Sequence, residues 1–60
     1  MEKKNYNRYY ILLANGTYVN SIKGDDVYYS REEFSVDHAT MQKYTQRLNQ
    51  MKIGYEVIKL

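Results

Sequence analysis

Between two runs of strand-forming residues stands Asn15-Gly16, and this pair constrains the fold more than any other feature of the chain. Asn-Gly is the dipeptide that best supplies the two positive-φ positions of a type I′ turn, so it folds residues 9–13 (YYILL) back onto residues 17–22 (TYVNSI) as an antiparallel hairpin. A two-residue loop sets the register: Leu13 opposite Tyr18, Leu12 opposite Val19, Tyr9 opposite Ile22. One face of the hairpin then carries Tyr9, Ile11, Leu13, Tyr18 and Ile22, and the other carries Tyr10, Leu12, Ala14 and Val19. Neither face is polar, whereas a hairpin with one wet side alternates apolar and polar residues along each strand.

Downstream, Lys23-Gly24-Asp25-Asp26 has the composition of a second turn, and residues 27–30 (VYYS) form a third strand whose brevity suits a sheet edge. After the charged step Arg31-Glu32-Glu33, a helix is expected: Ser35 caps it, Phe34 staples onto its first turns and Asp37 places negative charge where the macrodipole favours it. Met41, Tyr44, Leu48 and Met51 recur on one stripe, while Ala39, Lys43, Gln46, Arg47 and Gln50 take the outer side. Lys52 suits the last turn, and Gly54 reads as the left-handed stop. Residues 54–60 (GYEVIKL) alternate and form a final strand. The expected fold is α+β with element order β-β-β-α-β and a small, mostly antiparallel sheet in order 3-2-1-4. The last strand should lie beside and parallel to the first, with one helix packed on one face. A plain meander, 1-2-3-4, is the rival. Residues 1–8 (MEKKNYNR) read as a polar N-terminal arm, and residues 9–60 as a single domain.

Composition narrows the function. A chain of sixty residues buries only about 60% of the surface it exposes when unfolded, and with no cysteine it has neither disulfides nor zinc thiolates to reinforce it. Association with another molecule remains available as a source of stability. The net charge of +2 is too small to announce a polyanionic partner. No apolar run is long enough to span a bilayer, and residues 1–6 lack a signal-peptide core, so a cytoplasmic protein with no membrane partner is expected. Eight tyrosines, one phenylalanine and no tryptophan make the chain Tyr-rich, which matters because tyrosine tolerates half-burial and collects in strands and interfaces.

Three landmarks stand in sequence: an apolar strand closing on Asn15-Gly16-Thr17-Tyr18-Val19, a Glu-rich step into an aromatic and a cap at Glu32-Glu33-Phe34-Ser35, and a short helix reaching Gly54-Tyr55-Glu56-Val57-Ile58. Together they resemble a type of small open reading frame common in phages and prophages of Gram-positive bacteria, over residues 9–60. These motifs are structural: a turn, a cap and a stop. The resemblance implies a mobile-element protein that acts by contact with a host or phage protein, and it carries over no catalytic residue.

Candidates for chemistry are few. His38 is the single histidine and adjoins Asp37, with Glu33 nearby, which gives too few donors for a zinc site and no second histidine at helical spacing. A solvated helix start explains the same residues. Asp25-Asp26 is accounted for by turn chemistry, and Gly16, Gly24 and Gly54 are isolated, so no phosphate-cradling loop is formed. The expectation is a protein with no catalytic, cofactor or metal residues.

Binding is the stronger reading. One helix covers one face of a sheet, yet both faces of the first hairpin are apolar. If Tyr9, Ile11, Leu13 and Tyr18 pack under the helix, Tyr10, Leu12 and Val19 are left on the open face, joined by Tyr28 or Tyr29. These five are the candidate protein-binding residues, with a second copy of the chain as the simplest partner. The alternative is single-stranded nucleic acid stacked on the tyrosines and flanked by Arg8, Lys23, Lys43 and Arg47, although Asp25, Asp26, Glu32 and Glu33 interrupt any basic stripe.

Overall fold

The computed structural model describes residues 7–60. Its elements are β1 (Arg8–Leu13), β2 (Tyr18–Lys23), β3 (Asp26–Ser30), β4 (Ser35–Asp37), α1 (His38–Gln50) and β5 (Tyr55–Lys59). Of the expected arm, residues 1–6 lie outside the described residues, and Arg8 belongs to β1.

The Asn15-Gly16 turn makes the hairpin, but not as a two-residue loop. Leu13 donates its N–H to the Thr17 carbonyl at 2.8 Å and accepts from the Gly16 N–H at 3.0 Å. Gly16 alone within the loop has positive φ, at 86°. This is the three-residue loop in which a turn of ordinary hand is followed by a left-handed glycine. Asn15 stabilises it by accepting from the Thr17 N–H at 3.1 Å and from the Thr17 hydroxyl. The consequence is a register one residue away from the expected one, with Leu12 opposite Tyr18. A slip of one residue exchanges the faces of a strand. Val19 therefore enters the core and is 0% exposed, while Tyr18 crosses to the far face.

Further along β2 a second irregularity intervenes. Val19 pairs with Tyr29 and Ser21 with Tyr28, so Asn20 is an extra residue in the ladder. That bulge returns Ile22, paired with Val27, to the core side, where both pack on the buried cluster. The β2–β3 connection is tight, with Lys23 opposite Asp26 and Gly24 at φ 61°, the positive value required at the first position of a type II′ turn.

The four longer strands lie in the expected order, third, second, first, last, with the helix on one face and β3 at an edge. Tyr9 pairs with both Val36 and Lys59, and Leu12 with both Tyr18 and Glu56, so β5 takes one edge of β1 while β2 and β4 share the other. The direction of the last strand corrects the expectation: β5 is antiparallel to β1. The cause is β4, three residues that read as a helix start in the sequence. Because β4 runs antiparallel to β1, the chain reverses once more before entering α1. The unit β4-α1-β5 is then two parallel strands joined through a helix, with β1 inserted between them.

Ser35 accordingly lies in β4, and Asp37 is the N-cap, its Oδ1 accepting from the Thr40 N–H at 2.8 Å. The other end also differs from expectation. Lys52, not Gly54, adopts the left-handed conformation at φ 59°. Lys52 N–H bonds to Asn49 C=O at 3.1 Å and Ile53 N–H to Leu48 C=O at 2.9 Å, the paired bonds of a Schellman motif.

Ile11, Leu13, Val19, Val36 and Leu48 make the buried cluster, and Met41, Tyr44 and Met51 of the anticipated helix stripe pack against it. Thr45 is buried as well and satisfies its hydroxyl on the Gln42 carbonyl at 3.1 Å.

Candidate functional site

The face of the sheet turned away from α1 is fixed by the pairings. Residues directly opposite in a ladder share a face, so Tyr10 and Leu12 of β1 stand with Tyr18 of β2 and with Ile58 and Glu56 of β5. The bulge then places Ser21 and Lys23 on this side, with Tyr28 opposite Ser21. Tyr10, Leu12, Tyr18 and Ile58 are half-buried by one another, and Tyr28 is 49% exposed.

Within this face the aromatic groups are held in place. The rings of Tyr10 and Tyr18 meet edge to face with centroids 5.2 Å apart. Tyr10 donates its hydroxyl to Glu33 Oε1 at 2.9 Å, and this bond is the main reason that its phenol titrates above the ordinary tyrosine value. Lys23 Nζ lies 5.9 Å from the centre of the Tyr28 ring, within cation–π range.

Of the five residues expected to bind protein, Tyr10, Leu12 and Tyr28 share this open face. Val19 does not, because the longer Asn15-Gly16 loop turns it into the core. Tyr29 does not either: it is paired with Val19 on the helix side, where it borders an open cleft of about 310 Å³ lined by Leu13, Val27 and Ile53. Tyr18, which the expected register put on the other face, and Ile58 of β5, not named for binding, complete the patch. A signal existed in the spacing of Val19 and Ile22, which stand three apart and reach one face of a strand only through a bulge.

The four basic residues named for nucleic acid do not form one surface. Arg8 is committed to Ser35, from Nε to Oγ at 3.1 Å and from Nη2 to the carbonyl at 2.8 Å. Arg47 crosses from α1 to the β2–β3 turn, bonding Gly24 C=O at 2.6 Å and Asp25 Oδ1 at 3.0 Å. Lys43 is exposed on the helix, in the other layer from Lys23.

His38 opens α1 and tilts its ring against Tyr9, with centroids 5.6 Å apart. Its neighbour Asp37 is engaged as the cap. Hydrogen bonding from Thr40 holds the Asp37 carboxyl below the usual aspartate value, with smaller contributions from the charges of Arg8 and His38. Among the described residues no three His, Cys, Asp or Glu side chains converge as metal ligands, and no helix is long and apolar enough to cross a membrane.

What the geometry brings together among the described residues is an aromatic sheet face. Comparison with known proteins finds no family model, no curated protein and no solved structure that matches the chain.

Proposed function

We propose that this chain is a small protein-binding module, encoded by a phage or other mobile element, that works by contact with a host or phage protein rather than by catalysis and associates with itself through its sheet. The observation that carries this reading is the open face, where Tyr10, Leu12, Tyr18 and Ile58 form a contiguous half-buried patch extended by Tyr28 and covered by no other described element. Completing the burial of one such side chain is worth up to about 1.5–3 kcal/mol, so a partner seated here gains from each of several residues. Tyrosine-rich patches are typical of interface cores. The Asn15-Gly16 turn, the landmark of the resemblance to small phage proteins that does close a hairpin, supports the same reading. Nucleic acid is the weaker alternative, because Arg47 is paired with Asp25 and Lys43 lies in the other layer.

The test has two parts. Light scattering at micromolar concentration is expected to give a mass above that of the monomer, and a strictly monomeric wild type would refute self-association. A protein retained by the wild type from a Gram-positive bacterial lysate should be lost with Tyr10→Ser or Leu12→Ser; retention unchanged by both substitutions removes the open face from the proposal.

A further inference from the structure

Self-association can use either a face or an edge of the sheet, and the structure distinguishes them. The open face already satisfies much of itself, with Tyr10 bonded to Glu33 and packed on Tyr18. The outer edge of β5 has no such accommodation. β5 pairs with β1 and with no other described strand. Leu60 N–H bonds to Arg8 C=O at 2.9 Å, while Leu13 N–H points the other way, to Thr17. Backbone groups alternate sides along a strand, so Ile58 and Glu56 bond inward to β1, and the N–H and C=O groups of Tyr55, Val57 and Lys59 point outward. Val57 is 36% exposed, and Leu60, just beyond the strand, is 56% exposed.

Native sheets blunt such an edge with proline, a bulge, a very short strand or charged side chains, lysine above all. On the other side of the sheet a bulge does intervene, at Asn20 of β2, in the ladder that carries the edge strand β3. β5 carries charge at Glu56 and Lys59 but has neither proline nor bulge: its register with β1 runs unbroken from Tyr55 to Lys59.

We infer that the outer edge of β5 is the self-association site, taking β5 of a second copy as an antiparallel strand about a two-fold axis at Val57. This rests on the self-association half of the reading above and leaves the open face to a different protein. The register follows from symmetry. An axis perpendicular to the sheet at Val57 sets Val57 opposite its own mate and Tyr55 opposite Lys59 of the second copy, so every outward N–H and C=O of these three residues finds a partner. On the helix side, Ile11 and Val57 of one copy then continue into Val57 and Ile11 of the other, and the exposed valine becomes part of a shared apolar row. A second copy thus satisfies polar and apolar needs of the edge together, which no shift by one residue does, because that would oppose residues from different faces.

The absence of cysteine makes the test clean. In the inferred register the two residues at position 57 have Cα atoms about 5.5 Å apart, within disulfide reach. Those at position 59 are separated by four residues along the strand, roughly 14 Å. Under mild oxidation Val57→Cys should become mostly covalent dimer, while Lys59→Cys should stay monomeric on a non-reducing gel. Val57→Pro supplies a second readout: it removes an N–H that bonds nothing among the described residues, so the fold should persist by circular dichroism. Each copy loses one intermolecular bond, and the dimer Kd should rise roughly 10- to 100-fold. Equal cross-linking at both positions, or at neither, overturns the inferred register. A dimeric wild type dissociated by Leu12→Ser but not by Val57→Pro overturns the edge while sparing self-association. A monomeric wild type overturns both.

Discussion

On the helix side of the sheet Ile11, Val19 and Leu48 are wholly shielded from water, while on the other side Tyr10, Leu12, Tyr18 and Ile58 are only half-buried, although both sets come largely from the same strands. The contrast lies in what each face is made of. The covered face is aliphatic at its centre, with Tyr9, Tyr29 and Tyr55 around it, and that centre gains by complete burial, which one amphipathic helix supplies. The uncovered face is built around tyrosines whose hydroxyls remain satisfied at an edge of water, as Tyr10 shows through Glu33. A sixty-residue chain thus stabilises itself mainly through one side and leaves the other partly open to water.

Substitutions that remove volume from the covered face break this contrast most severely. Leu48→Ala or Ile11→Ala should cost about 2–5 kcal/mol, comparable to the net stability of roughly 3–5 kcal/mol that a core of this size supplies. Both variants should lose most of their folded population in a urea titration followed by circular dichroism. Leu12→Ser, one residue along the same strand, should cost no more than about 1.5 kcal/mol and leave a cooperative transition. Comparable losses at Ile11 and Leu12 would mean that the two faces do not differ in the way described.

Much of this was readable before the structure. The α+β class, the strand order, the helix stripe of Met41, Tyr44, Leu48 and Met51, and the presence of apolar residues on both faces of the first hairpin follow from periodicity and turn chemistry. What escaped was local geometry near special residues. Asn15-Gly16 marks a turn, but it serves a two-residue loop with two positive φ values and a longer loop with one, and only the hydrogen bonds of Leu13 decide between them. That ambiguity moved Val19 from contact residue to core and hid Tyr18. Ser35-Val36-Asp37 serves a short strand and a helix start equally well, because Val36 favours a strand while Ser35 and Asp37 both favour a cap. Pairing with Tyr9 decides in favour of the strand, and the direction of β5 changes with it.

The end of the helix gives a smaller test of how firmly the covered face is held. Lys52 occupies a left-handed position at φ 59°, where a side chain is disfavoured and glycine is at home. Lys52→Gly should therefore stabilise the fold by about 0.5–1 kcal/mol, after allowing for the greater freedom of glycine in the unfolded chain. The gain should appear as a higher urea midpoint with an unchanged slope. A loss on substitution would show that the lysine side chain contributes more than its backbone conformation costs.

The smallest effect is at the start of the helix and depends on pH. Asp37 caps α1 as a carboxylate, and Thr40, then Arg8 and His38, hold its folded pKa below the ordinary value of about 3.9. A group depressed in this way contributes its full stability above the unfolded pKa and loses it as pH falls through the lower folded value. Asp37→Asn keeps a capping oxygen but has no charge to lose. The stability advantage of the wild type over the variant should thus be largest at neutral pH and should shrink below about pH 4, which urea midpoints taken at neutral and acidic pH will measure. Because α1 shelters only one side of the sheet, the same substitution should leave the Tyr10–Tyr18 packing, read by tyrosine fluorescence or side-chain NMR shifts, unchanged at either pH. A coupled change there would show that the two faces are less independent than their burial suggests.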